Sequence, residues 1–293
     1  MPNLVAPAWL VAEVRRAKKG TSTDQIEQTS GLLSRLGLPT VCVSARCPNR
    51  GECFSLRTVT FLILGDVCTR GCTFCAVRHG RPAIPPDADE PEHLAQAVLE
   101  LGLIHVVITS VTRDDLTDGG AGHYAQVVGA LRSCSPTVKV ELLVPDFLGS
   151  EEALATVLAA SPDILAHNLE TVPRLYQQVR RGADYHRSLR MLREAKALAP
   201  RVITKSGIML GLGENADEVQ AVLYDLAATG CEMITIGQYL APSLAHTPVV
   251  RYVLRNEFDQ WRIKALAMGF KSVASGPLLR SSYKASLFFG ELV

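Results

Sequence analysis

From residue 59 onward the chain alternates short apolar runs with longer stretches in which apolar residues recur every three to four positions. Short runs bounded by turn residues read as buried strands, and the longer periodic stretches as amphipathic helices. Six strands are expected, over residues 59–64, 105–109, 138–144, 163–167, 202–210 and 233–237. Between the last two, Asn215 caps a helix, Glu218 completes a capping box, Val219, Val222, Leu223 and Leu226 line one face, and Gly230 ends it. A second helix is expected over 256–267, with Phe258, Trp261, Ile263 and Leu266 as its apolar positions.

This alternation is that of βα units around a parallel sheet. Six units are too few to close an eight-stranded barrel but suit an open one whose mouth admits a large substrate. The expected fold is therefore α/β, a partial (β/α)6 TIM-like barrel over 59–272, with an N-terminal extension over 1–58 and a C-terminal segment over 273–293. A flat doubly wound sheet gives the same alternation, so the choice of a barrel rests on the motifs below.

Composition narrows the function classes. With 293 residues, a formal net charge of +1 and 47% hydrophobic residues, the chain carries neither a disordered composition nor a phosphate-tracking basic surface. Nucleic acid is not expected as a partner. A short apolar stretch precedes Arg15, Arg16, Lys18 and Lys19, the reverse of a secretory signal, and no apolar run reaches the roughly 18 residues of a membrane span. A soluble, cytoplasmic protein with no membrane partner is expected. In that setting the eight cysteines read as metal ligands or buried thiols rather than disulfides. Six lie between Cys42 and Cys75; Cys134 and Cys231 stand apart and read as inert core thiols.

Cys68, Cys72 and Cys75 form a CxxxCxxC loop just after the first strand, at the end of a barrel strand where active sites lie. Three thiolates on a glycine-containing loop suit a cubane iron–sulfur cluster and leave one of its four irons open. A tetrahedral zinc site with His79 as fourth ligand is the alternative for this loop. Cys42, Cys47 and Cys53 form a second set, CX4CX5C, in the N-terminal extension. Pro48, Asn49 and Gly51 break any core periodicity there, which favours a ligand loop over buried thiols.

The first loop, with Phe74 just before its last cysteine, resembles the radical S-adenosylmethionine superfamily motif, in which the aromatic residue lies near the adenine. The pairing of both cysteine motifs resembles the lipoyl synthase family over roughly residues 30–285. Further matches are Val144-Pro-Asp-Phe147, His167-Asn-Leu-Glu170, Gly182-Ala-Asp-Tyr185, Thr204-Lys-Ser-Gly207, Gly211-Leu-Gly-Glu214 and Arg280-Ser-Ser-Tyr283. The resemblance implies two [4Fe–4S] clusters and S-adenosylmethionine. It makes Cys68, Cys72 and Cys75 the ligands of the catalytic cluster, and Cys42, Cys47, Cys53 and Ser282 those of an auxiliary cluster; Ser281 is the weaker choice of serine.

The same resemblance implies the reaction and its partners: radical-mediated insertion of two sulfur atoms at C6 and C8 of an octanoyl group on a lysine of a lipoyl carrier domain. Such C–H bonds are beyond acid–base chemistry, so the cofactor supplies the hard step. Flavodoxin or ferredoxin is implied as reductant. Gly207 to Glu214 resembles the superfamily's adenine-side GxIxGxxE, making Gly211 and Gly213 cofactor contacts, although any βα turn also needs glycine. Asn168 and Glu170 are ribose candidates. Arg113, Asp114 and Asp115 either orient substrate or form a solvated turn, and Gln238 and Tyr239 share that ambiguity. Two rivals remain: another radical sulfur-inserting enzyme, and a non-catalytic iron–sulfur or zinc-binding protein.

Overall fold

A computed structural model describes residues 5–18 and 21–290 of the chain. Lys19 of the basic N-terminal stretch and residues 291–293 of the expected C-terminal segment lie outside the described residues. The chain forms two compact units, one of Val14–Arg70 with Ala76–Leu165, the other of Gly71–Cys75 with Ala166 onward and the N-terminal residues as far as Glu13.

In the first unit the strands β1 (Thr60–Ile63), β2 (His105–Ser110) and β3 (Lys139–Leu143) are ordered as in the chain and pair in parallel. Thr60 stands opposite Val107, and Thr109 opposite Leu143. Strand β1 is buried throughout, and β2 is buried except at its ends. Parallel strands covered on both faces read as continuous apolar runs, so the sequence marks them plainly. The helices Glu90–Leu101 and Ala121–Cys134 follow β1 and β2 along the chain, and Gly102, at φ 67°, closes the first of them in the left-handed conformation.

A three-residue strand, β4 (Ile164–Ala166), comes next. In the second unit β5 (Ile203–Leu210), β6 (Met233–Gln238) and β7 (Ser272–Gly276) are parallel neighbours, with Lys205 opposite Met233 and Met233 opposite Ser272. The helix Ala216–Ala228 carries the expected capping box between Asn215 and Glu218, and buries Val219, Val222, Leu223 and Leu226 against a core that includes Ile208, Ile234 and Ile236. Among the described residues no helix is long and apolar enough to cross a membrane.

Two expectations need correction. Strand β7 is a seventh strand in a stretch that the apolar pattern left outside the repeat; its SVASG sequence has no bulky run and ends on glycine. In the helix Arg255–Ala267 the buried stripe is Phe258, Trp261 and Ala265, while Ile263 and Leu266 are exposed. Spacings of three and four from Phe258 select Ala265 for the inner face.

Candidate active site

The first cysteine loop begins where Val67–Cys68 pairs in parallel with Arg78–His79, Cys68 facing His79 in register. The backbone N–H of Arg70 donates to the Cys68 sulfur at 3.4 Å. The Arg70 side chain is buried and held by two carboxylates: Nε and Nη2 donate to Asp114 at 2.7 and 2.8 Å, and Nη2 to Asp146 Oδ1 at 2.6 Å. Burial works against the charge, but the bonds to Asp114 and Asp146 outweigh it and keep the guanidinium firmly protonated. Thr69 adds two bonds to the Thr112 carbonyl and accepts from the Asp114 N–H. The Cys68 end of the loop is thus tied to the segment after β2.

The remaining residues of the loop, Gly71–Cys75, are fixed within the second unit. Thr73 donates its N–H to the Val179 carbonyl at 2.9 Å and shares a 2.6 Å hydroxyl contact with Thr247, whose N–H returns to the Thr73 carbonyl. Phe74 packs against the apolar core of that unit. Buried Arg180, bonded to Tyr176 Oη at 2.9 Å, interacts electrostatically with Cys72. A cation there favours a thiolate ligand.

The second cysteine set lies wholly in the first unit. Cys42 is on a short helix, Val41–Ser44, capped by the Thr40 hydroxyl; Cys53 is on another, Arg50–Ser55, and Cys47 bonds through its N–H to the Cys42 carbonyl at 3.1 Å. Burial pushes the Cys53 thiol up to about 12, with further rises from Cys42 and Cys47. Burial also raises Cys42, with Cys47 adding to the rise. Cys42 and Cys53 thus each feel the charge of neighbouring thiols. Soft donors that resist ionising together are what an iron–sulfur core relieves, since bound iron offsets their negative charge. Among the described residues no three His, Cys, Asp or Glu side chains stand close enough to grip a single metal ion.

The glycine motif after β5 has a defined local role. Gly211, at φ 105°, has Gln238 Nε2 and the Arg251 carbonyl within 2.3 and 2.5 Å of where a Cβ would stand, so no side chain fits. Gly213, at φ 113°, needs glycine for its backbone alone. Glu214 is buried and turns back on this loop, accepting from the N–H groups of Gly211 and Leu212 at 2.7 and 2.9 Å.

Asn168 and Glu170 stand together just past β4. Asn168 Nδ2 donates to Glu170 Oε1 at 3.0 Å and to Ser281 Oγ at 2.7 Å. Glu170 is non-glycine at φ 65°, its backbone clamped to Gly207 and Met209 of β5. Such a conformation costs about 1–3 kcal/mol and concentrates at functional sites. Burial pushes the Glu170 carboxyl up, opposed by Arg180, Asn168 and Arg280.

Several ambiguous residues resolve into framework. Arg113 is buried, pairing with Asp115 at 2.9 Å and donating to the Leu64 carbonyl; Asp114 is taken by Arg70. Gln238 bonds the backbone of Leu210, Tyr239, Arg251 and Val253, and Tyr239 Oη donates to the Thr247 carbonyl. Cys231 is buried as expected, but Cys134 is exposed at a helix end rather than in the core. Arg70, Asp146, Arg180 and the Ser281 contact were not foreseen. Arg70 carried a signal in its place inside the cysteine loop, as did Asp146 within Val144-Pro-Asp-Phe147 and Ser281 within Arg280-Ser-Ser-Tyr283, while Arg180 carried none.

Residues 62–226 match the family model of the Radical SAM superfamily. Over 280 residues the chain is 59% identical to a lipoyl synthase of Trichlorobacter lovleyi, covering 96% of this chain and 97% of that one. It is 54% identical to a lipoyl synthase of Geobacter metallireducens, covering 98% of each. Among solved structures, HydG, a maturase of the [FeFe]-hydrogenase, aligns with a TM-score of 0.58 at 12% identity over 89% of this chain and 65% of that one. Methylornithine synthase (PylB) aligns at 0.52 with 17% identity, over 82% and 67%. At such identities the likeness carries the fold alone: the α/β, partial TIM-like barrel expected from the alternation of strands and helices.

Proposed function

Because the chain belongs to the lipoyl synthase family, within the Radical SAM superfamily, we propose that it inserts two sulfur atoms at C6 and C8 of an octanoyl group bound to a lysine of a lipoyl carrier domain. The observation that carries this reading is the second thiol set, Cys42, Cys47 and Cys53, which the chain carries besides the Cys68 loop within a near full-length match to lipoyl synthases. A radical enzyme with one cluster has no use for it.

On this reading Cys68, Cys72 and Cys75 hold one [4Fe–4S] cluster, and Cys42, Cys47, Cys53 and Ser282 hold another. When bound, the first cluster with S-adenosylmethionine supplies the radical that removes hydrogen from the octanoyl chain, and the second supplies the sulfur. The protein's own part is placement and protection. Arg70, fixed by Asp114 and Asp146, holds the backbone N–H that donates to Cys68 sulfur. Thr73 and Phe74 hold the Cys72 to Cys75 turn, and Arg180 offsets thiolate charge at Cys72. Asn168, Glu170, Gly211 and Gly213 border the cofactor. An octanoylated carrier domain is the protein substrate, and a flavodoxin- or ferredoxin-type protein is the electron donor.

The test is a reaction of anaerobically reconstituted protein with reductant, S-adenosylmethionine and an octanoylated lysyl peptide. Peptide bearing two added sulfurs is expected by mass spectrometry. Formation of 5′-deoxyadenosine with unmodified peptide would point to a different sulfur acceptor, and absence of 5′-deoxyadenosine to a non-catalytic metal protein.

A further inference from the structure

The C-terminal serine motif is seated on the second unit by a contact with no assigned role. Ser281 Oγ accepts from Asn168 Nδ2 at 2.7 Å and donates to Asn168 Oδ1 at 3.0 Å. The amide's orientation is fixed by its neighbour, because Nδ2 faces the Glu170 carboxylate, which accepts. Two glycines on adjacent strands make room for this seat. A Cβ at Gly207 would lie 2.6 Å from Thr235 Oγ1, 2.8 Å from Asn168 Oδ1 and 3.0 Å from Ser281 Oγ. At Gly237 a Cβ would lie 2.4 Å from the Leu279 carbonyl oxygen, which is backbone and cannot step aside. The tail therefore passes against β5 and β6 at a distance only glycine permits, and Arg280 Nη1 ties it to the Leu279 carbonyl at 2.7 Å and the Gln238 carbonyl at 3.3 Å.

We propose that Ser281 is a positioning residue, a hydroxyl latch received by Asn168, which seats the tail and so presents the adjacent Ser282 for ligation. The role given to Ser282 rests on the lipoyl synthase reading; the latch stands on the contacts of Ser281, Asn168, Gly207 and Gly237. The pair of neighbouring serines then divides the work, Ser281 holding protein and Ser282 serving as the ligand of the proposed function. Asn168, expected as a ribose contact, also bonds the tail and Glu170. Through that shared amide, the seating of the tail is linked to the strained residue at the expected cofactor edge.

The test is hydrogen–deuterium exchange on the full-length, cluster-loaded protein, followed at the amides of residues 279–285. Ser281→Ala and Asn168→Ala should each speed exchange there about tenfold, the effect of losing one or two hydrogen bonds, with β5 amides unchanged. Ser281→Thr, which keeps the hydroxyl, should restore the slow rate. Wild-type exchange in Ser281→Ala, or failure of threonine to rescue, overturns the latch. Iron content gives a second reading: Ser281→Ala should lose no more iron than Ser282→Ala, and loss of iron in Ser281→Ala but not in Ser282→Ala overturns the division of labour. Absence of thiolated peptide from wild-type protein would remove the lipoyl synthase reading while leaving these exchange rates to judge the latch.

Discussion

Arg70 Nη2 lies 2.6 Å from Asp146 Oδ1, a contact between a guanidinium inside the first cysteine loop and a carboxylate with no exposed surface. The two residues are 76 positions apart, and Asp114 completes the grip on the cation. Loss of Asp146 leaves the buried cation with Asp114 alone, and loss of Arg70 leaves the buried Asp146 carboxylate without its cation.

Asp146→Asn or Arg70→Ala should therefore lower stability by about 3–5 kcal/mol, read from denaturant unfolding of the metal-free protein. Arg70→Lys should rescue only in part, because an ammonium cannot make the paired contacts to Asp114 and reach Asp146 as well. A change below about 0.5 kcal/mol in Asp146→Asn would show that the pair carries no net stability.

Gly211→Ala should cost about 3 kcal/mol, since the new methyl meets the Arg251 carbonyl and Gln238 in a conformation that L residues avoid. Gly213→Ala, with only Val250 nearby, should cost less. Thermal melts of the two variants check the order; a greater loss in Gly213→Ala would contradict it.

In the metal-free protein Cys53 is held near 12 from an ordinary 9.0 by burial and by its companion thiols, so the folded state prefers the neutral thiol. Cys231 is raised to about 12 in the same way, burial leading. A thiol with a raised folded pKa stabilises the fold below the unfolded value, and that contribution is lost as pH rises. The metal-free protein should therefore lose stability progressively between pH 9 and about 12. Only the thiolate reacts with alkylating agents, so at pH 8.5 Cys53 should be modified far more slowly than exposed Cys134. Mass spectrometry of the peptides measures both; equal rates would contradict a raised Cys53 thiol.

Replacing Cys42, Cys47 and Cys53 together by alanine should remove about half of the iron from reconstituted protein, the share of one cubane in two. Full iron retention in the triple variant would show that these thiols hold no cluster.

What was legible beforehand follows from how each feature is encoded. The parallel strands announce themselves because burial on both faces favours apolar residues at successive positions, as at Val106, Val107 and Ile108 of β2. The helix Ala216–Ala228 was readable from Asn215 and Glu218, since capping is local. Strand β7 was not, because small residues paired to β6 carry no apolar signature. Both cysteine sets were visible as spacing. Their supports were not: Asp146 lies 76 residues from Arg70, and Ser281 lies 113 from Asn168. Contacts over such separations depend on topology rather than on any short pattern, which is also why the sequence left Arg113 and Gln238 open between site and turn, while the structure shows them bonding backbone.

The most direct measurement is the isotopic mass of sulfur in the product. Protein reconstituted with heavy sulfide, and given reductant, S-adenosylmethionine and octanoylated peptide with no added sulfide, should yield peptide carrying two heavy sulfurs, while the Cys42/Cys47/Cys53 triple alanine variant should still release 5′-deoxyadenosine but form no thiolated peptide. Light sulfur in the product, or thiolation by the triple variant, would contradict the account.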